Sequence, residues 1–114
     1  MTTGKILEMI QGGYEAFNRR DIDAALAAMV PGVEWANGWE GGHAAVRDYW
    51  TRQWQELDPQ VTPVDIAVDG TSVDVLVHQI VRRPDGSGVS AGQVRHRYRL
   101  RDGLIARMDI APAG

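Results

Sequence analysis

The sequence predicts an α+β fold in which three N-terminal helices pack on one face of an antiparallel sheet. Two observations carry that expectation. Apolar residues recur at spacings of three and four through the first half of the chain. From about residue 58 onward the pattern changes to alternation and short apolar runs separated by turn residues.

The first helix is read from Lys5 to Asn18, where Ile6, Leu7, Ile10, Tyr14 and Phe17 form an apolar stripe. Gly12 and Gly13 each cost it about 1 kcal/mol relative to alanine, which points to a close neighbour or ligand beside them. Asp21 suits an N-cap for a second helix with Ile22, Ala25, Leu26 and Met29 on one face, ended by Pro31 and Gly32. Val33-Glu34-Trp35 reads as a short extended piece, followed by a loop over 36–42 with three glycines. In the third helix, over 43–57, Val46, Trp50, Trp54 and Leu57 share a face. Three strand segments follow, and Pro84-Asp85-Gly86 and Arg101-Asp102-Gly103 both suit three-residue hairpin loops closed by a left-handed glycine.

A chain of 114 residues suits one domain, residues 1–114, able to bury roughly two thirds of the surface it exposes when unfolded. Its 44% hydrophobic and 24% charged residues match ordinary globular proteins, which argues against disorder or a fibrous repeat. The absence of cysteine excludes disulfides, thiol nucleophiles and thiolate metal sites. The N-terminal apolar run is interrupted by Glu8 and Gln11, and no stretch approaches the ~20 apolar residues of a membrane span, so a cytoplasmic protein without a membrane partner is expected. No phosphate loop, zinc spacing, GxSxG or HExxH occurs, so neither a metal, a cofactor nor covalent serine chemistry is expected.

The segment VRHRYRLRDGLIARMDI, residues 94–110, places an arginine at every second position from Arg95 to Arg101. A two-residue Asp102-Gly103 loop would pair Arg101 with Leu104 and His96 with Asp109, mixing charged and aliphatic residues on each face. A three-residue loop pairs Leu100 with Leu104, Tyr98 with Ala106, His96 with Met108 and Val94 with Ile110, all on one face. Burying the arginines would cost several kcal/mol per unpaired charge, so they are assigned to the outside. A phosphate or nucleic-acid track is one use for such a row. The net charge of −3 favours a solvated or dimer-forming outer face, hence a homodimer and no nucleic acid.

The segments YEAFNRRDIDAALAAMVPGVEW, GGHAAVRDYW and HRYRLRDGLIARMDI together resemble the SnoaL-like branch of the nuclear-transport-factor-2-like superfamily, which includes ketosteroid isomerase and polyketide cyclases. The resemblance implies a cone-like α+β barrel, its helices on the concave face of a curved sheet, and a small-molecule pocket. It does not fix a reaction, because the fold hosts isomerases, cyclases, hydrolases and non-catalytic binding domains. Ketosteroid isomerase's helix-one tyrosine falls at Gly13, with Tyr14 turned about 100° from it. Its general-base aspartate falls at Glu34 or Trp35, and its oxyanion-hole acid at His96. The steroid-isomerase set is therefore not intact.

His96 is the leading catalytic candidate, because a neutral imidazole on an apolar concave face can give or take a proton. The structural alternative is a core histidine bonded to a carbonyl or to Tyr98. Tyr98, Glu34 and His78 are its candidate assistants, and regular pairing through the Pro84-Asp85-Gly86 turn would align His96 with Asp74 and Gly92 with His78, unless a bulge near Gly92 flips the parity. Strand alternation lets only one of Glu34 and Trp35 point inward. Tyr14, Phe17, Trp35, Trp39, Trp50, Trp54 and Met108 are expected to line a pocket for a small hydrophobic or aromatic molecule, although packing alone also accounts for Trp50 and Trp54. Two functions fit: a cofactor-independent acid/base isomerase, cyclase or hydrolase, or a non-catalytic ligand-binding or dimerisation domain.

Overall fold

The computed structural model describes residues 2–35 and 41–113. The elements run α1 (Thr3–Asn18), α2 (Ile22–Leu26), β1 (Met29–Glu34), α3 (Gly42–Glu56), β2 (Asp58–Asp69), β3 (Ser72–Arg82), β4 (Gly88–Arg101) and β5 (Leu104–Pro112). The helices cover one face of a five-stranded, unclosed sheet of order β1-β5-β4-β3-β2. Strands β2 to β5 form the expected antiparallel meander, but β1 joins the edge parallel to β5, so the sheet is mixed.

The second helix is shorter than its apolar stripe suggests. Pro31 cannot continue a helix, and the Ile105 N–H donates to the Ala28 carbonyl at 2.8 Å, which draws Met29 and Val30 into strand pairing. Asp21 caps α2 as expected, accepting from the Ala24 N–H at 3.2 Å.

Helix α1 buries Ile6, Ile10 and Tyr14, and α3 buries Val46 and Trp50, against Val73, Val75 and Val77 in the middle of the sheet. Each of those side chains contributes about 1.5–3 kcal/mol by leaving water. Two polar devices then fix α1 to the outer strand β2. The Asn18 amide bonds both backbone groups of Val61, accepting from its N–H at 2.9 Å and donating to its carbonyl at 2.7 Å. Arg20 adopts a left-handed backbone (φ 64) that closes α1 in a Schellman turn, with Asp21 N–H on the Ala16 carbonyl at 2.8 Å. Its guanidinium bonds Asp58 and the Pro59 carbonyl and lies 4.8 Å from the Trp54 ring centroid. Arginine supplies there a cross-link that glycine, the usual residue at such a cap, cannot.

The last hairpin keeps the predicted faces by a different route. Its loop has two residues, Asp102 and Gly103, both left-handed (φ 53 and 77), as a type I′ turn requires. Ala106 is then an extra residue in β5, and beyond that bulge His96 pairs with Ile110 and Tyr98 with Met108. This displaces the expected partners by two positions, which preserves each residue's side of the sheet. Before the bulge the parity differs, so Ile105 rather than Leu104 fills the core.

Between β3 and β4 the Pro84-Asp85-Gly86 loop forms as expected, but Val89 is an extra residue just beyond it. The bulge lies nearer the turn than Gly92, with the same effect on parity. His96 pairs with Val75 and Gly92 with Gln79, whereas Asp74 faces Arg97 on the outer side and bonds Arg95 at 3.1 Å and Arg97 at 3.3 Å. A His96–Asp74–His78 cluster therefore does not form.

The start of α3 depends on Gly42, which is left-handed (φ 66) and so close to β1 that a Cβ would lie 2.3 Å from the Pro31 carbonyl oxygen. Gly42→Ala is expected to lower unfolding stability by about 2 kcal/mol or more. Gly32→Ala, with nothing within 4 Å of its Cβ, should change it by less than about 0.5 kcal/mol in the same urea titration.

Candidate functional site

The concave face of β3, β4 and β5, with α1 and α3 above it, lines a cavity of about 120 Å³ that is open on one side. Its walls are aromatic. Trp35 meets Trp50 edge-on at 5.6 Å between ring centroids, and Phe17 meets Trp50 edge-on at 5.3 Å. Helical spacing puts Ile10, Tyr14 and Phe17 of α1 on the same side, and strand alternation puts His96 and Tyr98 of β4 opposite them.

Tyr14, His96 and Tyr98 form one hydrogen-bonded chain. The Tyr98 hydroxyl donates to the Tyr14 oxygen at 2.7 Å, and the Tyr14 oxygen lies 2.8 Å from Nδ1 of His96. With Tyr14 accepting from Tyr98, a Tyr14 proton directed at Nδ1 satisfies all three groups, and the tautomer that fits this arrangement carries its imidazole proton on Nε2. Among the described residues the only fully buried side-chain nitrogen or oxygen without a partner is Trp54 Nε1, and no hydrogen bond engages His96 Nε2. Nε2 is therefore open to the cavity that His96 lines.

Burial sets the charge state of this chain. Loss of hydration lowers the His96 pKa from 6.5 to about 4, so at pH 7 only about one molecule in a thousand carries an imidazolium. Desolvation pushes the Tyr14 hydroxyl far above the ordinary tyrosine range, reinforced by repulsion from Tyr98. It raises Tyr98 as well. All three groups are uncharged at neutral pH, and none of the described lining residues is acidic, lysine or arginine.

The structure brings together most of the expected pocket. Tyr14, Phe17, Trp35, Trp50 and Met108 line the cavity with His96 and Tyr98. Gly13 lines it too, where a Cβ would meet nothing within 4 Å, in keeping with a glycine that leaves room for a ligand. Trp54 stands behind the wall, 5.3 Å from Phe17 and 5.8 Å from Trp50, beneath Arg20. Trp39 lies outside the described residues.

Two candidate assistants are elsewhere. Glu34 alternates with the buried Val33 and Trp35 and bonds Arg107 at 2.8 Å on the outer side, so it is not brought to His96. His78 pairs with Gln93, out of phase with His96, and does not line the cavity. Conversely, Gln53 and Gln79 line it, and sequence reasoning missed them. Gln53 was discoverable, being one turn from Trp50, whereas Gln79 required the Val89 bulge. Among the described residues no three His, Asp or Glu side chains are grouped to hold a metal ion, and no helix is long and apolar enough to cross a membrane.

A helix-covered, unclosed curved sheet with an apolar, histidine-bearing cavity defines a nuclear-transport-factor-2-like cone. Residues 10–108 match the family model of the SnoaL-like domain, and the chain belongs to that family. No curated protein sequence matches the chain. Among solved structures, TerC co-crystallised with polyporic acid is 26% identical, with a TM-score of 0.83 over 93% of this chain and 89% of its own. A provisionally assigned polyketide cyclase from Xanthomonas campestris pv. campestris is 28% identical, with a TM-score of 0.77 over 94% and 89%. A Catenulispora acidiphila protein of ketosteroid isomerase-like fold, in complex with trimethylamine, shares the fold at 13% identity, with a TM-score of 0.79 over 90% and 83%.

The depressed His96 pKa has a consequence for stability. The unfolded chain takes up the histidine proton near pH 6.5 and the folded chain only near 4, so stability is full above about 6.5 and falls as the pH drops from 6.5 to 4. That interval corresponds to about 3 kcal/mol. Urea titrations at pH 7 and pH 4 should show wild type losing about that much more than His96→Leu.

Proposed function

We propose that the protein binds a small hydrophobic or aromatic molecule in the cone and assists acid/base chemistry on it, as an isomerase, cyclase or hydrolase would. Water that enters the pocket takes up the substrate proton and returns it while the protein stabilises the charge on oxygen. His96 is the residue that meets the reacting oxygen. The observation that carries this reading is the Tyr98–Tyr14–His96 chain, which engages Nδ1 from within and leaves Nε2 open to the cavity, where the tautomer that fits the chain puts its proton. A pKa of about 4 makes His96 a weak base at neutral pH. Its fitting role is that of a neutral donor to an oxygen on which negative charge develops, a contribution worth about 3 kcal/mol in an apolar site. Tyr14 and Tyr98 are positioning residues that fix the tautomer, and the scheme needs no cofactor. The neighbours crystallised with polyporic acid and with trimethylamine support a small-molecule role for this kind of cone.

The isomerisation of cyclohex-3-enone to its conjugated isomer, followed by ultraviolet absorbance, tests the proposal. His96→Ala should lower kcat/KM by about a hundredfold or more, while His96→Gln, which keeps an N–H donor, should retain part of the rate. Unchanged turnover and affinity in both variants would leave a non-catalytic binding domain.

The outer sheet face is proposed to join two copies of the chain. A groove of about 380 Å³ there is bordered by Asp69, Asp74, Arg97, Arg99, Arg107 and Asp109. Among the described residues neither Arg99 nor Asp69 forms a salt bridge within the chain. A two-fold axis would let each offer the other a partner across a self-complementary contact. Sedimentation equilibrium should show a dimer that weakens in high salt and in Arg99→Glu. A monomer at every concentration would overturn this.

A further inference from the structure

Three properties of the cavity narrow what it can hold. The first is size, since the inner space of about 120 Å³, open on one side, is close to the ~150 Å³ of an engineered apolar cavity that takes benzene, and so receives one ring with its substituents reaching toward the opening. The second is charge. The described lining offers no ionic side chain, so a buried carboxylate would lose its hydration without a counter-charge. An ammonium ion would find aromatic faces, but it would also face the outward N–H of His96. The third is polarity. Apart from the Tyr98–Tyr14–His96 chain, the polar side chains of Tyr49 and Gln53 on α3 and of Gln79 on β3 line the same space, the two glutamines half-buried.

We infer that the substrate is an uncharged, one-ring carbonyl compound, its carbonyl oxygen at His96 Nε2 and a second polar group, such as a hydroxyl, held by the amide of Gln79. The inference rests on the proposed binding function and adds the class of molecule bound. The amide both donates and accepts, so it suits a hydroxyl in either sense and makes Gln79 a specificity-determining residue. It pairs across β2 with Val61 and across β4 with Gly92, whose missing side chain leaves space beside it.

Calorimetric titration with four probes tests the assignment. 4-Hydroxyacetophenone should bind, acetophenone about tenfold more weakly for want of one hydrogen bond, and 4-hydroxybenzoate at least about a hundredfold more weakly. 4-Hydroxybenzophenone, with a second ring, should bind more weakly than the one-ring ketone. Gln79→Leu should weaken 4-hydroxyacetophenone about tenfold and leave acetophenone unchanged, a pattern that a misfolded variant would not give. Equal or tighter binding of the benzoate or of the two-ring ketone would overturn the assignment while leaving the pocket function standing. No binding of any of the four probes would overturn both.

Discussion

The fold and the site both depend on the cost of burying arginine in strand β4. Arg95, Arg97 and Arg99 alternate with His96, Tyr98 and Leu100, so one set or the other must meet the helices. Taking a guanidinium out of water without a partner costs several kcal/mol, whereas the alternate set brings apolar surface and two hydroxyl- or imidazole-bearing groups that can bond one another. The outcome is not close. With the arginines outside, Asp74 and Asp109 stay outside with them, and the interior side of three strands is settled.

That exclusion also explains how a polar chain survives in the core. His96 and Tyr98 are carried inward by the same alternation, and each would be a liability alone. Tyr14 lies where it can accept from one and donate to the other, so three buried polar groups are satisfied with two hydrogen bonds. The only atom left over is His96 Nε2, and it is the one that faces the cavity. Burial that keeps the imidazole neutral and bonding that engages its Nδ1 thus come from one arrangement.

The sequence conveyed a good deal of this, and its failures have physical causes. Helix faces were legible because Ile6, Ile10 and Tyr14, or Val46 and Trp50, repeat at helical spacing over several turns. The side occupied by His96 was legible because charge burial outweighs turn preference. The turn itself was not, since Asp102-Gly103 suits both a two-residue and a three-residue loop, and a bulge at Ala106 restores the parity that the shorter loop would break. The Val89 bulge was equally silent in composition, and with it went the positions of Asp74, His78 and Gln79. The role of β1 was hidden because its pairing with β5 joins residues some 75 positions apart. Local pattern carries little information about such contacts.

Bulges here act as more than irregularities. Without the extra residue at Val89, Asp74 would face His96 and Gln79 would leave the cavity. An aspartate beside His96 would draw its pKa upward and create a charged pair, which is the opposite of the neutral site observed. One added residue near a hairpin end, far from any chemistry, therefore separates an uncharged donor site from an ionic one. In a sheet whose two faces differ this sharply, parity is the variable through which a small change in chain length reaches the electrostatics of the pocket.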